Sequence, residues 1–261
     1  MDLGLKGKNA AITGSSQGIG NAIANSLAEE GCNVAISGRD DERLNQSVND
    51  LTAKGVKALA VNCDLSTDKG CKKLIDQTIK EFGGLDILVN NVGGMIPGTL
   101  DSMTEELWNT VLNTNLMAYV HTTKYAVPHL KKSNGGRILN VSGVSGKQLF
   151  PGALTTTIPN TAIIGFTKIM AAELGKDGIT VNNVCPGFTS TDSWVPRADK
   201  MAEVRGITAD QLRDGISSQT LLGRWAEPKE IGDAAAFIVS AKNSYMTGTT
   251  VEICGGFSKY M

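Results

Sequence analysis

The sequence predicts a single doubly wound α/β domain over residues 1–261, a seven-stranded parallel sheet with helices on both faces. Three observations carry this expectation. Seven apolar, β-rich runs recur along the chain, stretches of helical period separate them, and no Pro/Ser-rich linker or charge run divides the whole. The runs are continuous rather than alternating, as in strands covered on both faces. Size agrees, since a chain of this length folded as one domain buries about 70% of its extended surface and needs no staples.

The strand runs are residues 10–13, 33–36, 58–61, 85–89, 137–141, 179–184 and 249–253. After the first, Ile19, Ile23 and Leu27 with Ala24 and Ala28 place one apolar stripe on a helix ending near Gly31. The least patterned stretch, 189–220, is too long for an ordinary connection and reads as a substrate loop, its legible chemistry confined to Trp194, Arg197 and Met201.

Composition narrows the function. With 25 Lys and Arg against 26 Asp and Glu, the formal charge is −1, which offers no electrostatic footprint for nucleic acid or an anionic membrane. No apolar run approaches the roughly 18 residues of a membrane span, and the first seven residues lack the apolar stretch of a signal peptide. A soluble cytoplasmic protein with a small-molecule substrate is expected. Cys32, Cys63, Cys71, Cys185 and Cys254 are odd in number and contain no Cys-x-x-Cys pair, so buried structural thiols are expected, with neither disulfides nor a metal site.

Directly after the first strand, Thr13 leads into Gly14, Ser15, Ser16, Gln17, Gly18, Ile19 and Gly20, which open the first helix. Glycines there let backbone N–H groups approach a pyrophosphate at the positive end of the helix dipole. Where the second strand ends, Ser37-Gly38-Arg39-Asp40 puts no carboxylate at the tip to hold a ribose 2′-hydroxyl, and Arg39 offers a planar fork suited to a 2′-phosphate. NADP is therefore expected in preference to NAD, although Gln17 adds no second positive charge.

The spacing Gly-x-x-x-Gly-x-Gly resembles that of the short-chain dehydrogenase/reductase family, which is Rossmann-like, and in particular its 3-oxoacyl-(acyl-carrier-protein) reductase-like members. Asn90-Asn91-Val92-Gly93, Cys185-Pro186-Gly187-Phe188-Thr189-Ser190-Thr191 and the tail ending at Gly255-Gly256 are similar to further segments of that family, so the likeness spans nearly the whole chain. It implies that Asn91 and Gly93 line the cofactor, that Asp64 and Leu65 bracket the adenine, and that Pro186, Gly187, Thr189 and Thr191 form the nicotinamide loop. It implies equally a homodimer or homotetramer built on the helices holding Asn115 and Gly165, with the C-terminal segment at a contact.

The resemblance breaks at the catalytic set. Family enzymes carry a Ser after the fifth strand, a Tyr-x-x-x-Lys pair on the next helix, and an Asn on the preceding one. Here the residues four beyond Tyr119, Tyr125 and Tyr245 are Thr123, His129 and Thr249, and Tyr260 runs off the end. Anchoring on Gly165-Phe166-Thr167-Lys168 puts Thr156 at the Tyr position, Asn160 at the Lys position and Gly143 at the Ser position, while Asn115 survives. Pro159 belongs in a first helical turn, so the helix is expected to start near Thr157. Substitute proton carriers are Ser142, Ser145 and Lys147. His121 and His129 are expected at the surface, and Trp108, Met117 and Tyr119 in the core or a subunit contact. Three functions stay open: an NADP(H)-linked oxidoreductase on a carbonyl or alcohol, a non-redox lyase or isomerase using the nucleotide structurally, and a catalytically silent nucleotide-binding partner or sensor.

Overall fold

The computed structural model describes all residues but 97–98, 150–152, 193, 195–197, 200–201, 204–205 and 260–261, and Arg197 and Met201, named above in the 189–220 segment, fall among the latter. Seven strands, β1 (Asn9–Ile12), β2 (Asn33–Gly38), β3 (Ala58–Asn62), β4 (Ile87–Asn90), β5 (Arg137–Val141), β6 (Thr180–Pro186) and β7 (Thr250–Ile253), form one parallel sheet. Its order is β3-β2-β1-β4-β5-β6-β7, with Ala11 opposite Ala35 on one side and Leu88 on the other. The winding reverses between β1 and β4, and in such sheets the crevice beyond the strands' C-terminal ends at that reversal is where ligands bind.

The helices are α1 (Gly18–Glu29), α2 (Asp41–Thr52), α3 (Asp68–Phe82), α4 (Glu105–Leu112), α5 (Ala118–Leu130), α6 (Leu154–Leu174), α7 (Ala209–Ser217) and α8 (Pro228–Val239). Both faces of the sheet are covered, which is why its strands read as unbroken apolar runs. Ala10 and Ile12 pack on one side with Ile23, Leu27, Ala235 and Val239 of α1 and α8. Ala11 points to the other, joining Leu88, Ala126, Leu130 and Val181. Helices α1 and α8 approach closely at Gly232, where a Cβ would lie 2.7 Å from the carbonyl oxygen of Ala22.

α1 ends as expected, with Gly31 in the left-handed region at φ +80°. A π-helical turn, Asn113–Met117, joins α4 to α5. The start of α6 corrects the expectation of Thr157: the helix begins at Leu154 and carries Pro159 inside it. The loop after β6 is also more regular than its composition suggests. Thr208 and Gln211 cap α7 reciprocally, and Ala198, Ala202, Leu212 and Ile216 form a small core beside Phe188, Trp194 and Trp225.

All five cysteines are free, four of them buried and Cys254 partly so. Tyr119 is buried and donates to the carbonyl of Val141 at 2.7 Å, while Trp108 and Met117 are half-buried. His121 and His129 are half-buried rather than fully exposed, and His121 Nδ1 lies 3.9 Å from Asp68 Oδ1 at the start of α3, which packs beside α5. Among the described residues, no helix is long and apolar enough to cross a membrane, and no cluster of His, Cys, Asp and Glu could hold a metal ion.

Candidate active site

The phosphate loop is held by its own hydroxyls. Ser15 Oγ donates to the Ile12 carbonyl at 2.8 Å and accepts from the Ser37 N–H at 2.9 Å, while Gly14 N–H donates to Ser37 Oγ at 3.2 Å. These bonds clamp the loop against the tip of β2, where a Cβ on Gly38 would stand 2.8 Å from Ser16 Oγ. Gly14 and Gly18 take positive φ, +61° and +62°. Asn91 braces the loop from β4: its Nδ2 donates to the carbonyls of Thr13 at 3.1 Å and Gly14 at 2.8 Å. A Cβ on Gly20 would lie 2.4 Å from that nitrogen, so glycine is needed there to let helix and brace meet. Ile19 packs against the core, and Leu65 is buried at the end of β3.

The site fits a dinucleotide. α1 has no acidic side chain in its first turn, and Gln17 before it makes no side-chain cap bond, which leaves the positive helix end open to an anion. Thr191, in the loop after β6, arches over this point, its methyl carbon 3.6 Å from where a Cβ on Gly18 would be. Arg39 is exposed at the tip of β2 and makes no hydrogen bond or ion pair among the described residues. Arg43, which the sequence reading missed, adds a second cation: its Nη1 donates to the Gln17 side chain and its Nε lies 3.3 Å from Asp40 Oδ2. The signal was present, since Arg39 and Arg43 are four residues apart at the start of a helix.

Asp64 accepts from the Ser66 hydroxyl at 2.8 Å and the Ser66 N–H at 3.0 Å. Those bonds, with the Arg39 charge, hold its carboxyl below the usual range. At the sheet's far side, Pro186 ends β6, and Gly187 donates from its N–H to the Ile253 carbonyl at 2.9 Å so closely that a Cβ would meet Cys254 Cα at 2.8 Å. Thr189 is buried and donates to the Gly187 carbonyl at 3.2 Å.

Opposite this loop, Asn115 is buried in the π-helical turn and fully engaged. Its Oδ1 accepts from Gly94 N–H at 2.9 Å, and its Nδ2 donates to the Gly94 carbonyl at 2.7 Å and the Thr155 carbonyl at 3.4 Å. Gly93 lies alongside, a Cβ there being 3.6 Å from Asn115 Oδ1. Thr156 and Asn160 are one helical turn apart on α6 and share a face. Thr156 Oγ1 donates to the Ala153 carbonyl at 3.1 Å, and Asn160 Nδ2 donates to Ser145 Oγ at 2.8 Å. A Cβ on Gly143 would come within 2.9 Å of the same Nδ2, so Gly143, Ser145 and Asn160 meet at one point.

Two other candidates lie apart from that point. Ser142 Oγ turns toward β6, where it contacts the Val184 carbonyl at 3.4 Å and Cys185 Sγ at 3.1 Å and accepts from Asn183 Nδ2 at 2.9 Å. Burial pushes the Cys185 thiol up, away from thiolate chemistry. Lys147 is paired with Glu252 of β7.

The chain's likeness to known proteins agrees with this geometry. A family model described as enoyl-(acyl carrier protein) reductase matches residues 14–258. The 3-oxoacyl-(acyl-carrier-protein) reductase FabG of Staphylococcus aureus is 35% identical over 250 residues, 95% of this chain and 97% of that one. The structure of L-sorbose reductase from Gluconobacter frateurii, complexed with NADPH and L-sorbose, superposes with a TM-score of 0.96 at 31% identity over 100% of both chains. That of an actinorhodin polyketide ketoreductase variant with NADPH gives 0.92 at 29% identity, covering 97% of this chain and 98% of its own. With a glycine phosphate loop at the sheet's reversal point and these relatives over nearly its full length, the chain belongs to the short-chain dehydrogenase/reductase family, a family of NAD(P)-dependent oxidoreductases.

Proposed function

We propose that this chain is an NADP(H)-linked oxidoreductase acting on a carbonyl compound or its alcohol, with a catalytic set in which Thr156 and Asn160 stand where relatives carry Tyr and Lys. The observation that carries the reading is the open, glycine-lined end of α1 facing Thr191, with Arg39 and Arg43 at its 2′-phosphate side. The nicotinamide, when bound, supplies or takes a hydride. Gly14, Ser16, Gln17, Gly18, Ile19 and Gly20 would hold its pyrophosphate, with Asp64 and Leu65 at the adenine and Pro186, Gly187, Thr189 and Thr191 at the nicotinamide. Relatives complexed with NADPH support the cofactor choice.

The chain's own residues bind and orient better than they move protons. A Thr hydroxyl is a far weaker acid than a phenol, and Asn160 brings no charge to make it titrate near neutral pH. Ser145, which accepts from Asn160 Nδ2, is the hydroxyl this reading assigns to the substrate in place of Ser142, whose Oγ is turned to β6. Titration of the protein with NADPH and NADH, followed by NADPH oxidation against ketones, aldehydes and 3-oxoacyl thioesters, tests the reading. Tight NADPH binding with turnover of a panel member supports it, and no binding of either nucleotide overturns it.

A further inference from the structure

The N-terminal edge of the sheet, at the opposite end from the cofactor crevice, carries a pocket that the proposed reaction does not use. It lies where the chain enters β1, β4 and β5, and is lined by Lys8, Asp86 and Arg137 together with the apolar Leu5, Ile87 and Val239. Its volume of about 50 Å³ is several times the roughly 10–15 Å³ that one water needs.

The charges in this pocket are unequally matched. Asp86 accepts from Lys8 Nζ at 3.0 Å, the Asn9 N–H at 3.0 Å and Ser133 Oγ at 2.8 Å, so it and Lys8 offset each other. Arg137 has no such partner. Its side-chain bonds run from Nη1 alone, to the carbonyls of Gly135 at 2.8 Å and Gly136 at 3.1 Å, and it forms no ion pair among the described residues. Nε is buried without a hydrogen-bond partner, and Nη2 makes no bond among the described residues. Burial lowers the Arg137 pKa, and no acidic neighbour opposes that lowering. A cation partly withdrawn from water without a counter-charge is costly, as is a buried donor left unpaired.

Which nitrogens are spent selects the ligand. The two bonds from Nη1 fix the guanidinium plane and leave the edge formed by Nε and Nη2, whose N–H bonds run parallel. That edge matches the two oxygens of one carboxylate, which it takes through two charge-assisted bonds. A spherical anion gains less from a fork, and the apolar walls suit a short alkyl group. The geometry points to a binding site for a small aliphatic carboxylate of about acetate size, held side-on by Arg137 Nε and Nη2 in this pocket and separate from the cofactor crevice.

The test titrates the full chain with carbon-13-labelled acetate at constant ionic strength and neutral pH, followed by NMR. Acetate is expected to bind saturably, and equally well when NADPH is present in excess. Acetamide, of the same shape without the charge, and chloride should both compete poorly. Arg137→Lys keeps the charge and removes the fork, so it should weaken acetate by about tenfold, the size of one charge-assisted bond. Nuclear Overhauser contacts from the acetate methyl to those of Leu5 and Val239 place the ligand in the wild-type protein, independently of how the variant folds. The absence of saturable binding overturns the proposal, as does equal binding of acetamide or chloride, unchanged affinity in folded Arg137→Lys, or displacement of acetate by NADPH, which would put it in the cofactor crevice.

Discussion

The side-chain amide of Asn115 donates to the carbonyl of Thr155, the one carbonyl in α6 that Pro159 leaves without its helical donor. A proline inside a helix removes the N–H that would bond four residues back. Here Asn115, in the π-helical turn between α4 and α5, supplies a replacement at 3.4 Å, and α6 runs from Leu154 through Pro159 without a break. The same Asn115 holds Gly94, so the loop after β4 and the start of α6 share one amide.

Asn115→Ala and Pro159→Ala should therefore be coupled. Asn115→Ala alone leaves buried partners unsatisfied and should cost about 1–3 kcal/mol each way it is read, by urea or by heat. Pro159→Ala restores the backbone donor, so the double variant should recover part of that loss. Strictly additive effects would show that the two residues act independently.

Cofactor choice should depend on both arginines. NADPH is expected to bind more tightly than NADH, and Arg39→Ala or Arg43→Ala should each weaken NADPH by about tenfold, the size of one charge-assisted bond, while changing NADH little. Fluorescence titration checks this. Loss of both nucleotides together in Arg43→Ala would mean that its bond to Gln17 merely shapes the loop.

Reduction of simple ketones should be slow by about 10² to 10⁴ relative to enzymes with a positioned phenol. The triple variant Thr156→Tyr, Asn160→Lys, Gly143→Ser should recover part of this, since α6 already spans both positions in register. Gly143→Ser alone should push the Asn160 amide away, because the new Cβ would be 2.9 Å from Nδ2. Steady-state rates with an activated ketone decide, and no gain in the triple variant would argue against the assigned positions.

Acid should loosen the lower edge of the sheet. Burial works to raise the Asp86 pKa, but the Asn9 N–H at 3.0 Å, Lys8 Nζ at 3.0 Å and Ser133 Oγ at 2.8 Å outweigh it and hold the carboxyl below its usual value. A carboxyl depressed in the folded state contributes stability that is present above its unfolded pKa of about 3.9 and is lost as pH falls through the folded value. Asp86→Asn should lower stability at neutral pH and flatten the decline between about pH 4 and the acid limit. Urea midpoints across that range measure it.

Assembly should use the outer face of α6. Ile158 and Ile169 are 43% and 56% exposed, and a Cβ on Gly165 between them would meet nothing within 4 Å. A homodimer or homotetramer is expected by light scattering at micromolar concentration, and Ile169→Glu should lower its mass toward that of the monomer. A wild-type monomer would refute this.

Much of this protein is written locally. The seven strand runs and the helix opening at Gly18 were legible because a buried parallel strand must be apolar throughout and a phosphate turn must be glycine-rich, both properties of neighbouring residues. Counting back from the Gly165 segment is what proposes Thr156 and Asn160 for the Tyr and Lys positions. What only the tertiary structure decided is which way side chains from distant elements turn. Ser142 and Ser145 are equivalent in sequence, yet pleating sends the first to β6 and the short 3₁₀ turn after Gly143 sends the second to Asn160. Lys147 looked free until β7 brought Glu252 beside it, and Arg43, passed over in the sequence, is laid against Gln17 by α2. The proline in α6 seemed to forbid a helix start before Thr157, because its missing hydrogen bond was counted within one element, whereas Asn115 supplies it from another.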